Sequence, residues 1–326
     1  MLTAQSDSRF MALALALSER GKGQTGANPN VGCVIVKNNI IIGRGWTQPG
    51  GRPHAEEMAL AQAGKSAKGA DIFVTMEPCA HESTRGPTCS SSIIAANPSR
   101  VIVATLDADE RTRRRGIDRL GDAGISVSIG IMEPEARRAM AGFLTRVEKK
   151  RPHVTLKLAM SLDGCIAMAD GTSQWITGDR ARAHAHLERA RCDAILVGAG
   201  TANADKPRLD VRIDGLGDRS PQPVILGEAD DLAEHWQQIE DPTAISDLVD
   251  INWLLVEGGA QAAASFLKAD LVDRLLLYRA PIVIGGGLSA IGDFGLESLD
   301  RAHGHWHQSD RRNMAQDVLE IYDRAA

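Results

Sequence analysis

Short apolar runs recur along this chain with helical stretches between them, and that alternation restricts it to an α/β architecture. Residues 31–36 and 40–43 flank Asn38-Asn39, a hairpin signal. Further strands are predicted at 72–76, 101–105 and 125–129. Helices are predicted at 9–20, ended by Gly21, and at 54–63, 90–96, 116–123 and 133–149. Helix, hairpin and then alternating helix and strand describe a three-layer α/β unit. The run Lys149-Lys150-Arg151-Pro152 closes it, because a proline disfavours helix at the residue before it. A second α/β unit follows, with strands predicted at 154–159, 194–197, 223–226, 252–256 and 275–279 and helices at 179–191 and 261–269. Residues 227–250 have weak periodicity. With 326 residues, about twice the size of one domain, the expected domains are 1–150 and 151–326.

A formal net charge of −5 argues against a nucleic-acid partner, which needs a basic face. The one dense basic cluster is Arg111, Arg113, Arg114 and Arg115. It reads either as a solvated segment or as a contact to a substrate phosphate. Five cysteines, an odd number, do not form a disulfide framework. The apolar run 11–17 is too short to span a bilayer and reads as a buried helix. A cytoplasmic protein without membrane contact is expected.

His54-Ala55-Glu56 opens a predicted helix, Glu77-Pro78-Cys79 follows a strand, and Cys89 opens another helix. One imidazole and two thiolates give zinc three protein ligands and leave the fourth position for water, the pattern of a catalytic site. Zinc lowers the pKa of that water to about 7. Glu56 is placed to shuttle protons without binding metal. His-x-Glu with Pro-Cys is the signature of zinc nucleobase deaminases. Cys33, Cys165 and Cys192 read as core thiols. His81 reads as a pocket residue or as a plain loop histidine.

With Asn28-Pro29-Asn30-Val31-Gly32-Cys33, Pro53-His54-Ala55-Glu56 and Glu77-Pro78-Cys79-Ala80-His81 ahead of the widely spaced Cys89, the chain resembles the RibD family of bifunctional riboflavin biosynthesis proteins. The resemblance covers nearly the whole chain. It implies a cytidine-deaminase-like three-layer N-terminal domain and a dihydrofolate-reductase-like C-terminal domain. It also implies deamination of 2,5-diamino-6-ribosylamino-4(3H)-pyrimidinone 5′-phosphate, then NADPH reduction of the ribosyl group to ribityl. By resemblance His54, Cys79 and Cys89 hold zinc, Glu56 is catalytic, and Asn28, His81 and Arg85 contact substrate. The family's Asp-Pro-Asn-Pro turn reads Asp107-Ala108-Asp109-Glu110 here.

In the second half, Val197-Gly198-Ala199-Gly200-Thr201 and Val256-Glu257-Gly258-Gly259-Ala260 read as strands entering glycine turns. Such turns serve packing or let backbone amides approach a diphosphate. The dinucleotide fingerprint Gly-x-Gly-x-x-Gly is absent, which argues against an ordinary Rossmann domain. The resemblance implies that Ala159, Trp175, Thr177, Thr201, Asp205, Gly258 and Gly259 contact NADPH. It implies that Ser173, Arg189, Leu209, Arg212 and Glu257 contact the phosphorylated substrate. A guanidinium suits a phosphate, although either arginine also reads as a surface ion pair. Asp205-Lys206-Pro207 and Gly227-Glu228 depart from the family's usual Asp-Asp-Pro and Asp-Ser. The alternative reading is a deaminase whose second domain only binds nucleotide or supports dimerisation. A homo-oligomer is expected.

Overall fold

The computed structural model describes residues 4–81, 86–110, 112–229 and 233–325. The chain divides into two compact units, Met1–Lys150 and Arg151–Ala326. Among the described residues no helix is long and apolar enough to cross a membrane.

The first unit runs α1 (Ala4–Ser18), β1 (Gly32–Lys37), β2 (Ile40–Trp46), α2 (Ala55–Ala63), β3 (Asp71–Met76), α3 (Cys89–Ala96), β4 (Arg100–Thr105), α4 (Arg115–Asp122), β5 (Ser126–Ile129), α5 (Glu133–Ala139) and α6 (Ala141–Lys149). Its sheet has the order β2-β1-β3-β4-β5, with β1 antiparallel to both neighbours and β3, β4 and β5 parallel. Phe73, Ile35, Ile72 and Ile102 fill the centre of the sheet, and Met11, Ile93 and Leu120 cover it from helices. Helix α2 lies directly on β2. A Cβ on Gly45 would stand 2.0 Å from the Ala55 carbonyl oxygen, so only glycine permits this approach. That contact places the start of α2, and the motif it carries, against the sheet.

Two expected elements differ. The first helix begins at Ala4, earlier than predicted, and its Asp7 is tied to Arg100 at 2.7 Å. The single helix predicted over 133–149 is two helices that meet at Met140. Asn30 Nδ2 donates to the Ala139 carbonyl at 3.0 Å, and the fully buried Met140 turns inward at the break.

The second unit runs β6 (His153–Met160), β7 (Cys165–Ala167), α7 (Asp179–Arg189), β8 (Ala194–Gly198), α8 (Ala199–Asp205), β9 (Gln222–Leu226), β10 (Gln237–Ile239), β11 (Trp253–Val256), α9 (Ala260–Lys268), β12 (Arg274–Arg279), β13 (Leu288–Ser289), β14 (Trp306–Met314) and β15 (Asp317–Arg324). The main sheet has the order β10-β9-β8-β11-β6-β12-β15-β14. Pairing is parallel from β10 to β12, and the final hairpin adds two antiparallel strands. Leu156, Leu196, Leu254 and Phe266 centre its core. The turn expected after residue 198 is instead the start of α8, which begins at Ala199 with Gly198 as its N-cap. Gly178 is the N-cap of α7, and its N–H donates to Asp317 Oδ2 at 2.7 Å.

Candidate active sites

In the first unit three donor side chains converge where two helices begin. His54 is the N-cap of α2, and Cys89 is the first residue of α3 behind its N-cap Thr88. Cys79 follows β3 in a loop, and its sulfur accepts the Cys89 N–H at 3.3 Å. His54 Nδ1 lies 3.2 Å from Cys89 Sγ and 3.6 Å from Cys79 Sγ, and all three donor atoms fall within 4.8 Å of one another. Tetrahedral zinc with its usual bond lengths holds such nitrogen and sulfur ligands about 3.6 Å apart, so this donor set fits the metal. Both helix N-termini add positive potential at the cluster.

The surrounding electrostatics are uneven. The hydrogen bond with Cys89 holds Cys79 well below the ordinary thiol range. That same bond, followed by burial, pushes Cys89 up. Glu56 stands in the first turn of α2, only 3% exposed, and burial pushes its carboxyl up to about 7. His54, Glu56 and Cys79 face a cavity of about 440 Å³. Asn28 and His81 line it too, and Asn28 Nδ2 donates to the Thr25 carbonyl at 3.1 Å. Arg85 lies outside the described residues.

Residue-level reading of the sequence gave Glu77 no role, although it stands in the zinc motif. The side chain is buried and its carboxylate accepts four backbone N–H groups. Oε2 takes Asp107 at 3.2 Å and Arg114 at 2.9 Å, and Oε1 takes Gly116 at 3.0 Å and Ile117 at 3.4 Å. Asp107, Asp109, Thr112 and Arg115, from the segment so held, line the cavity.

In the second unit Glu257, at the end of β11, receives Arg189 in a two-pronged pair at 2.8 and 2.9 Å, and Lys157 approaches it at 3.5 Å. Burial pushes the Glu257 carboxyl up, but Lys157 and Arg189 outweigh it and hold the group at about 2. These three side chains line a cavity of about 90 Å³ with Trp175, Thr177, His186, Arg212 and Tyr278. Lys157 was missed, although a lysine between Leu156 and Leu158 in an apolar strand is itself a signal of a paired buried charge. A second cavity, of about 400 Å³, is lined by Gly198, Gly200, Thr201, Gly259, Gln261 and Ser289. A Cβ on Gly258 would stand 2.4 Å from that of Ala262, so the turn into α9 stays thin. Bare backbone at a helix start suits a diphosphate.

The expected cofactor contacts are thus divided. Thr201 and Gly259 line the larger cavity and Trp175 and Thr177 the smaller, while Ala159, Asp205 and Gly258 line neither. Among the expected substrate contacts, Arg189, Arg212 and Glu257 come together at the smaller cavity, which exposed Ser173 and buried Leu209 do not line.

Two family models match the chain. One is the cytidine and deoxycytidylate deaminase zinc-binding region, over residues 4–105, and the other is the RibD C-terminal domain, over 152–318. Riboflavin biosynthesis protein RibD of Aquifex aeolicus is 38% identical, with 91% of this chain and 92% of that protein covered. Its Mycobacterium tuberculosis counterpart is 38% identical with 95% of each covered. The chain belongs to the RibD family. Form 1 of Acinetobacter baumannii RibD has a TM-score of 0.88 at 34% identity and covers 99% of this chain and all of that one. A Thermotoga maritima diaminohydroxyphosphoribosylaminopyrimidine deaminase/5-amino-6-(5-phosphoribosylamino)uracil reductase gives a TM-score of 0.87 at 30% identity, with 99% of each chain covered. A RibD protein carries a zinc-binding deaminase domain and an NADPH-dependent reductase domain, and acts on small molecules.

The RibD turn that lacks its two prolines here is held by side chains. Asp107 Oδ1 accepts the Asp109 N–H at 3.0 Å, and Asp107 Oδ2 accepts the Thr112 hydroxyl at 2.7 Å. Arg114 occupies the left-handed region at φ 67°.

Proposed function

We propose that residues 1–150 deaminate 2,5-diamino-6-ribosylamino-4(3H)-pyrimidinone 5′-phosphate and that residues 151–326 reduce the ribosyl group of the product to ribityl. As a RibD-family chain this protein is a bifunctional deaminase and reductase of riboflavin biosynthesis. The observation that carries the residue-level reading is the triangle of His54 Nδ1, Cys79 Sγ and Cys89 Sγ beside buried Glu56, at one cavity.

His54, Cys79 and Cys89 would hold zinc, which supplies the Lewis acidity that brings a water to a pKa of about 7. Glu56 accepts a proton from the attacking water and delivers it to the ring nitrogen. A second proton passes through Glu56 to the departing amine, so water and amidine become carbonyl and ammonia. A carboxyl poised near neutrality suits a group that must both take and give a proton. Asn28 and His81 orient the ring from the cavity wall.

In the reductase unit NADPH supplies the hydride and the protein supplies position. The start of α8 at 198–201 and the 258–259 turn receive the dinucleotide, with Trp175 and Thr177 at its reactive end. Arg189 and Arg212 orient the phosphorylated substrate, and Glu257 fixes Arg189. We also propose a cytoplasmic homo-oligomer. Exposed Leu162, Ile282 and Val283, brought together where the Leu162 N–H donates to the Ile282 carbonyl, support self-association, and five free cysteines support a reducing compartment.

One purified sample assayed for both steps, with zinc measured, tests the proposal. Ammonia release followed by NADPH oxidation is expected. A folded, zinc-loaded protein that deaminates without oxidising NADPH would leave only the deaminase reading.

A further inference from the structure

We infer that residues 107–110 and 112–117 form the wall of the deaminase cavity that receives the substrate's ribosyl phosphate, with Arg115 as the phosphate contact and Glu77 as the residue that positions it. This rests on the deaminase reading above.

The wall is clamped at both ends to one carboxylate. Asp107 binds Glu77 from one end, and Arg114, Gly116 and Ile117 bind it from the other. Glu77 directly follows β3 and stands two residues before Cys79, so the strand that presents a metal ligand also anchors the wall. Gly116 completes the clamp. A Cβ there would stand 1.9 Å from the Pro78 carbonyl oxygen, so the segment cannot sit this close with any other residue.

Between the clamps, the wall turns charge into the cavity. Glu56, Asp107 and Asp109 line it with carboxyl groups. Among the described lining residues Arg115 is the one side chain with a permanent positive charge, the remaining nitrogen bases being the imidazoles of His54 and His81. A pyrimidine ring needs no cation to enter such a cavity. A phosphate monoester does, because it would otherwise approach those carboxyl groups uncompensated. A planar guanidinium held by its own backbone on a braced segment is suited to bind it with two parallel hydrogen bonds.

The test measures deamination of the phosphorylated pyrimidine and of its phosphate-free counterpart by wild type, Glu77→Gln, Arg115→Ala, Arg115→Lys and the Glu77→Gln/Arg115→Ala double variant, with zinc content alongside. Arg115→Ala should raise KM for the phosphorylated substrate by about 10- to 100-fold, the range for one charge-assisted contact, with kcat little changed. It should leave the phosphate-free substrate unaffected, and Arg115→Lys should recover part of the loss. Glu77→Gln places an NH₂ among four N–H donors. It should raise the same KM while keeping zinc, and the double variant should be no worse than Arg115→Ala alone. Additive effects, an unchanged preference for phosphate in Arg115→Ala, or a Glu77→Gln that loses zinc and kcat at constant KM would each overturn the inference. If Glu77→Gln does not fold, the solvent-exposed Arg115 variants decide it. Failure of wild type to deaminate either compound would instead reject the deaminase reading itself.

Discussion

Two glutamates, one in each unit, are both largely withdrawn from water and end in opposite states. Burial pushes Glu56 up to about 7, whereas Lys157 and Arg189 hold Glu257 at about 2. The first is a carboxyl poised to exchange protons beside a donor set that fits a metal. The second is a fixed anion paired with Arg189 through both of its oxygens. Depth of burial therefore does not identify a catalytic acid. The nearest charges do, and they differ because α2 brings Glu56 beside imidazole and thiols while β6 and α7 bring two cations to Glu257.

Stripping the metal should break the comparison most sharply. A chelator is expected to abolish ammonia release while leaving NADPH oxidation on the deaminated substrate, measured on the same sample. Glu56→Gln should follow, lowering deaminase kcat by about 10²- to 10⁴-fold with zinc retained. Retained activity would remove Glu56 from the mechanism. Arg189→Ala leaves Glu257 with Lys157 alone and should destabilise the second unit by about 3–5 kcal/mol, read by denaturant unfolding. Acid should act on the same unit. Glu257 is depressed to about 2, so its contribution of about 3 kcal/mol is complete above its usual range near 4.5 and lost as pH falls towards 2. Asp273, held at about 2 despite its burial by Arg151, adds to the same acid limb. Unfolding of the second unit that does not change between pH 5 and 3 would contradict this. The smallest effect expected is from Thr112→Val, which removes the hydroxyl bond to Asp107 and should cost about 1 kcal/mol, with a modest rise in deaminase KM.

The sequence exposed the deaminase site better than the reductase site for a physical reason. His54, Glu56 and Cys89 stand at helix starts and Cys79 just past a strand end, so local pattern alone sets their approximate placement. Lys157 and Glu257 are 100 residues apart, and only the parallel pairing of β6 with β11 brings them together. The break at Met140 was hidden because both halves are good helix and the cause, Asn30, lies 109 residues from the carbonyl it binds. The β14–β15 hairpin was hidden because β14 carries mostly polar, exposed residues and gives no apolar run to read.

That hairpin has a consequence for how the second unit stays dispersed. With β14 outermost, the sheet ends on a row of polar and charged side chains that includes Asp310, Arg311 and Arg312, interrupted by a register shift between Gln308 and Asp310. An incoming chain meets exposed charged side chains and a bent ladder there, both of which discourage intermolecular β-addition. A truncation that removed β14 and β15 would hand the rim to β12, whose Leu275, Leu276 and Leu277 have the makings of an adhesive seam.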